Sequence, residues 1–248
     1  RVGTRDGSML APAIMVQGTA SDAGKSLFVT GLCRLFRDEG ISVAPFKSQN
    51  MSLNSAVTPD GLEIGRAQAV QAAAAGIPPT VEMNPVLLKP EGGARSQVVV
   101  MGKPIGSESA WDYDGRRAYF QDVVTRCLTS LREQHDLVII EGAGSPAEVN
   151  LKDRDVANMY VAKLADAPVL LVGDIDKGGV FASFVGTMAI LDPDERDRVA
   201  AFVARKAEAR AELVESQSTM RAMVERVYAG VPTETMGGSQ LHSRQSGS

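Results

Sequence analysis

Short runs of consecutive apolar residues alternate along this chain with longer stretches in which apolar positions return every third or fourth residue. Residues 13–17 form the first run and lead into a Gly/Ser/Asp-rich bend. Leu27, Phe28, Leu32, Leu35 and Phe36 then recur at helical spacing as far as Gly40. Strand, loop and helix follow from that succession. Residues 41–46 predict a second strand, which ends at Lys47. A polar loop is expected over 48–61, then an Ala-rich helix over 63–75 that Gly76-Ile-Pro-Pro stops. Residues 85–88 and 97–101 are short strand candidates, 113–133 have helical periodicity, and 137–140 and 168–173 are apolar runs ending at Glu141 and Asp174. Strands that are apolar on both faces, alternating with helices, predict an α/β fold with a mostly parallel sheet covered by helices on both sides. In such a fold, ligands sit at the carboxyl ends of the strands.

From about Val199 the texture changes. Residues 200–226 are rich in Ala, Glu, Arg and Met, which predicts a long solvated helix, and the Gly/Ser/Thr/Gln-rich residues 229–248 predict a disordered tail. The expected organisation is a domain over 12–203, a divergent helical segment over 204–228 and a tail over 229–248. A chain of 248 residues suits this plan. With 26 Lys+Arg against 30 Asp+Glu, the formal charge of −4 supplies no broad cationic surface for nucleic acid or an acidic membrane. No apolar stretch reaches the ~18 residues of a membrane span, and residues 1–11 lack the apolar core of a secretory signal. A cytoplasmic location is expected, with neither nucleic acid nor membrane as partner. Cys33 and Cys127 lie far apart within helical patterns, which argues against a disulfide framework or a paired metal site.

The strongest chemical signal is Gly18-Thr19-Ala20-Ser21-Asp22-Ala23-Gly24-Lys25-Ser26, which lies between the first strand and the helix that continues from Leu27. Successive backbone amides and a helix N-terminus can there surround a polyphosphate, Lys25 can reach its terminal phosphates, and the Ser26 hydroxyl can serve Mg²⁺. ATP and Mg²⁺ are the expected cofactors. Five residues rather than four separate Gly18 from Gly24, which points to a subgroup of P-loop proteins. Glu141, at the end of an apolar strand and before Gly-Ala-Gly, can hold the metal or its waters. Lys47 is a candidate second cation for a transferring phosphoryl group.

Taken together, Val16-Gln-Gly-Thr-Ala-Ser-Asp-Ala-Gly-Lys-Ser, Pro45-Phe-Lys-Ser-Gln-Asn-Met-Ser-Leu-Asn-Ser, Glu63-Ile-Gly-Arg-Ala-Gln, Asn84-Pro-Val-Leu-Leu-Lys-Pro, Glu141-Gly-Ala-Gly-Ser-Pro-Ala-Glu-Val-Asn-Leu and Asp174-Ile-Asp-Lys-Gly-Gly-Val-Phe resemble the amino-terminal domain of the cobyric acid synthases, over residues 14–203. The resemblance implies a fold similar to dethiobiotin synthetase and an ATP-dependent amidation of the b, d, e and g carboxylates of adenosylcobyrinic acid a,c-diamide. In that reaction the γ-phosphoryl passes to a carboxylate and ammonia attacks the acyl phosphate. By the same resemblance Gly18 to Leu27 would bind phosphates, Lys25 and Lys47 would flank the γ-phosphate, and Ser26 with Glu141 would hold Mg²⁺. Glu63 is the acid nearest to a further metal ligand that the related enzymes carry on the helix after the second strand. Gln49, Asn50, Asn54 and Ser55 would meet the corrinoid substrate, and Asp174 and Asp176 would line the same crevice or cap a helix.

Two departures from the family pattern set further expectations. Complete members carry a glutaminase domain with a Cys nucleophile on a sharp turn; neither Cys33 nor Cys127 has such a setting, and His135 and His242 read as surface residues. Ammonia is therefore expected free or from a separate glutaminase. After Ala201-Phe-Val the family continues along a strand into an Asn-Lys-Phe-Arg-Gly-Asp-like segment that helps to recognise adenine, whereas here Ala204-Arg-Lys-Ala-Glu-Ala-Arg follows. The expected result is a lost inner strand, an open base pocket and an unpaired sheet edge that favours a homo-oligomer. Besides a synthetase, a degenerate P-loop module without full activity fits the same pattern. A partitioning-type ATPase ranks last, because Ala20 stands where those proteins carry a second lysine.

Overall fold

Six consecutive buried residues make β1 (Ala13–Gly18) the centre of the main sheet. The computed structural model describes residues 10–93, 95–109 and 116–205. In these, β1 lies between β9 (Leu137–Glu141) and β10 (Val169–Asp174), with β2 (Val43–Phe46) outside β9 and β11 (Val199–Arg205) outside β10. All four pairings are parallel. A parallel sheet has to be covered on both faces, and the side chains of β1 alternate accordingly. Ala13 and Met15 join one core with Phe46, Ile140 and the inner stripe of α3 (Arg117–Gln134), whose Phe120, Val123, Val124, Cys127, Leu128 and Leu131 recur at helical spacing. Ile14 and Val16 join the other with Ile139, Leu170 and the Val29, Leu32, Cys33 and Phe36 stripe of α1 (Lys25–Asp38). The fold is the mostly parallel α/β type that the apolar runs predict.

At Lys47 the chain leaves the main sheet and builds a second one. Its strands are β3 (Gln49–Met51), β6 (Val86–Gly92), β7 (Arg95–Val100) and β8 (Lys103–Ser109), in the order β3-β6-β7-β8. β3 runs parallel to β6, and the remaining pairs are antiparallel. A small antiparallel pair, β4 (Ser55–Val57) with β5 (Glu63–Gly65), leads into α2 (Arg66–Ala75). After β9 come α4 (Met159–Ala165), then β10, α5 (Val180–Ile190) and the short α6 (Pro193–Arg196).

The structure corrects three readings of the pattern and adds a strand that the pattern did not predict. Residues 48–61 are not one loop but contain β3 and β4. The helix starts at Arg66 rather than at residue 63, because Glu63–Gly65 is drawn into the pairing with Ser55–Val57 and Gly65 stays extended at ψ 133°. β8, with the sequence KPIGSES and only Ile105 as a branched apolar residue, carries little apolar signal and is held by its antiparallel pairing with β7. Residues 199–205 form a strand, not the start of a helix: the edge of β10 offers parallel backbone bonds from Val169 to Asp174, and side chains of β11 alternate between half-buried and exposed. β11 is the sheet edge among the described residues, and the expected loss of the strand beyond it and of the base-pocket segment lies outside them. The helical segment expected over 206–228, the tail over 229–248, His242 and the expected helix start at Tyr113 lie outside the described residues. No described helix is long and apolar enough to cross a membrane.

Candidate nucleotide site

Phe46, Glu141, Asp174 and the turn after Gly18 all stand at the carboxyl ends of parallel strands. The turn is anchored from below, where the Thr19 amide donates to Val172 O at 2.9 Å. Asp22 takes a left-handed backbone (φ 57°), and Gly24 opens α1 at φ 93°. That positive φ favours glycine there, and the Arg205 side chain lies over it, so a Cβ would also push the arginine aside. At Gly18 a Cβ would come within 2.9 Å of both Ala20 O and Lys25 Nζ, so the strand end can carry no side chain under the loop. α1 has no side-chain cap and no acid in its first turn, which leaves its leading amides and the positive end of its dipole for an anion.

Lys25 is buried and donates to Ala20 O at 2.9 Å and to Gly144 O at 2.8 Å. Burial first, and then the neighbouring Lys47 charge, push its ammonium down to about 8, against weaker pulls upward from Glu141, Asp22 and Glu148. Phosphate binding needs the cation. ATP binding well above pH 8 therefore takes up close to one proton and weakens about tenfold per pH unit, whereas well below it no proton is taken up at this lysine. Calorimetry in buffers of different ionisation enthalpy reads the proton directly.

Glu141, only 1% exposed, is the hub of the site. Its Oε1 accepts from Ser26 Oγ at 2.7 Å and from Lys47 Nζ at 2.6 Å, and its Oε2 accepts from Gln71 Nε2 at 2.5 Å. Gln71 also reaches Ser26 O at 3.4 Å, tying α2 to the start of α1. The sequence reading missed Gln71. Its signal was two glutamines, Gln68 and Gln71, one helical turn apart in an otherwise Ala-rich run, and both are fully buried. The stretch after Glu141 is held by Asn158, which accepts from Ala143 N at 3.1 Å and donates to Ala143 O at 2.6 Å.

A cleft of about 1800 Å³ opens above these groups. Ser21, Asp22, Gly24, Lys25, Ser26, Leu27, Lys47 and Glu141 line it, as do Gln49, Asn50 and Asn54 of the expected substrate loop. Gly18, Thr19 and Ala23 form the underside of the loop rather than the cleft wall. Asn50 is already engaged, its Nδ2 donating to Gln68 Oε1 at 3.1 Å. Four further expected residues, Ser55, Glu63, Asp174 and Asp176, are not brought to the cleft wall. Ser55 bonds to Glu63, and Glu63 is ion-paired with Lys89 on β6, which holds its carboxyl below the usual range despite partial burial. Asp174 faces Arg205 (3.6 Å) and accepts from the Asp176 amide at 3.0 Å. Arg205 Nε is buried, with no acceptor among the described residues. Cys33 and Cys127 are buried on opposite faces of the sheet, and burial pushes both thiols up to about 12. His135 shares a 3.0 Å contact with Ser42 Oγ, far from the cleft wall.

A loop of amides under a lysine, a hydroxyl against a strand-end carboxylate and a parallel sheet behind them define a P-loop nucleotide-binding protein. Within that class the chain belongs to the CbiA family, the CobQ/CobB/MinD/ParA nucleotide binding domain, which residues 14–236 match. It is 68% identical over 198 residues to cobyric acid synthase of Sorangium cellulosum (strain So ce56), an alignment that takes in 80% of this chain and 38% of that protein. To cobyric acid synthase of Pelotomaculum thermopropionicum it is 59% identical over 198 residues, covering 79% and 38%. The chain thus spans 38% of the length of these curated relatives, corresponding to their N-terminal portion. Among solved structures, the signal recognition particle receptor FtsY from Elizabethkingia anophelis overlays with a TM-score of 0.47 at 21% identity, covering 84% of this chain and 55% of that one.

Proposed function

We propose that this chain is the ATP-dependent synthetase portion of an enzyme that amidates corrin side-chain carboxylates in cobalamin biosynthesis. The observation that carries this reading is the meeting of Ser26 and Lys47 on one oxygen of Glu141, at 2.7 and 2.6 Å, beside the P-loop lysine. That arrangement suits phosphoryl transfer to an acid, and the kinship with cobyric acid synthases supplies the acid.

A carboxylate is a poor acyl donor, and phosphorylation gives it a leaving group. The acceptor oxygen forms a bond to the γ-phosphorus as the bond to the β,γ-bridging oxygen breaks and ADP departs. Ammonia then forms the C–N bond, loses a proton, and inorganic phosphate leaves with the C–O electron pair. Amides of the loop and of α1 fix the phosphate chain, Lys25 exchanges its two carbonyls for phosphate oxygens, and Lys47 neutralises charge between donor and acceptor. Ser26 and Glu141 fit Mg²⁺: among the described residues no third acid, His or Cys gathers with them, and a site of one hydroxyl and one carboxylate completed by phosphate oxygens and water is what this ion favours. When bound, the ion would offset charge on the phosphates. Ammonia would arrive free or from a glutaminase.

The test is incubation of adenosylcobyrinic acid a,c-diamide with the chain, ATP, Mg²⁺ and ammonium, followed by mass spectrometry and ADP release. Stepwise carboxylate-to-carboxamide conversion with matching ADP is expected. ATP binding without any amidation would refute the reading in favour of a non-catalytic nucleotide module.

A further inference from the structure

Lys47 and Glu141 gather on the β2/β9 side of the loop, so the rest of a nucleotide's length runs toward β10 and β11, where Arg205 lies over Gly24. The opposite half of the cleft, between α2 and the second sheet, is left for the acceptor. The cleft, at about 1800 Å³, exceeds the roughly 300–1,000 Å³ that one small ligand fills, so it has room for both.

That half has a distinct chemistry. Met51 and Val70 line it with 63% and 51% of their surface exposed. They stand on β3 and α2, two elements that the Asn50–Gln68 bond ties together. Around them stand Arg66, at the start of α2, Arg95 on β7 and Arg117 at the start of α3, all exposed and lining the same cleft. None has a carboxylate partner among the described residues; Arg95 gives one Nη2 bond to Ser107 O at 2.8 Å and keeps its other donors. The lysines on the far wall differ. Lys152 pairs with Asp192 and Glu195, at 2.6 and 2.9 Å, and Lys163 pairs with Asp194 and Glu195, at 2.8 and 3.1 Å. Guanidinium forks with no carboxylate partner among the described residues, beside solvent-facing apolar side chains, suit a broad ligand with an apolar face and an anionic rim.

We infer that Met51 and Val70 seat the face of the corrin macrocycle while Arg66, Arg95 and Arg117 take its peripheral carboxylates, making the three arginines specificity determinants for an acidic rather than an amidated corrinoid. This rests on the reading given under Proposed function. Corrinoids absorb visible light, so equilibrium dialysis of the full chain measures binding directly, with adenosylcobyrinic acid a,c-diamide as the acidic probe and cobinamide, whose side chains are all amides, as the neutral one. Arg66→Ala and Arg95→Ala should each weaken the acidic probe about tenfold or more, leave cobinamide and ATP binding unchanged, and Arg66→Lys should restore part of the loss. Variants that bind the acidic probe like the parent chain, or that lose both probes equally, overturn the inference while the amidation reading stands. A parent chain that binds ATP but neither corrinoid overturns both.

Discussion

Lys25→Ala loses ATP-dependent amidation by about a hundred- to a thousandfold in kcat/KM, the usual cost of removing one group aimed at developing transition-state charge. The effect is separable from folding. Lys25 is a buried cation resting on two backbone carbonyls, and its ammonium titrates at about 8 rather than at 10.5. A lysine pushed down on folding lowers stability at every pH below its folded value, and the penalty fades as pH rises from about 8 toward 10.5. The alanine variant therefore melts no lower than the parent chain at neutral pH. What it loses is the nucleotide-dependent gain, which for the parent reaches about 2.7 kcal/mol at a hundredfold excess over Kd. A thermal shift series with and without ATP and Mg²⁺ separates the two. Retained turnover in this variant would remove the P-loop lysine from the mechanism.

Glu141→Ala has the larger structural effect. The carboxylate is 1% exposed and its partner Lys47 has only 10% of its side chain exposed. Deleting one member of a buried pair leaves an uncompensated charge, a loss of about 3–5 kcal/mol, and here the Gln71 amide and the Ser26 hydroxyl also lose their acceptor. Denaturant unfolding should show the midpoint shift, and the assay should show no amidation because the carboxylate proposed to hold Mg²⁺ is gone. Adding Lys47→Met to Glu141→Ala should recover much of the stability and none of the activity. A single variant as stable as the parent chain would mean that the Lys47–Glu141 pair is not a buried one.

The parts of the site legible in the sequence are those in which chemistry and local pattern coincide. Gly18 to Ser26 announces itself because its glycines, lysine and serine sit at one strand-to-helix junction, and Lys47 and Glu141 because each ends an apolar run. Gln71 was not legible in the same way, since its role exists only once α2 packs beside α1 and turns one amide toward a distant strand. Glu63 shows the converse. It is near the expected position in sequence, but pairing of β5 with β4 ends the extended segment before the helix begins and leaves the acid facing Lys89. Val199–Arg205 was misread because its alanines favour a helix in isolation, while the open edge of β10 supplies backbone partners that propensity does not count.

The backbone steps from one sheet to the other between Phe46 and Gln49, with the Lys47 amide bonded to Met83 O and Val86 N bonded to Ser48 O. The lysine therefore stands on a seam. On the proposed reading, the main sheet behind it presents the loop for a phosphate chain, and the second sheet beyond it borders the half of the cleft left for the acceptor acid. Substitutions in the far layer can then reshape the acceptor half for a differently outlined acid while the loop and its strand-end carboxylate stay as they are.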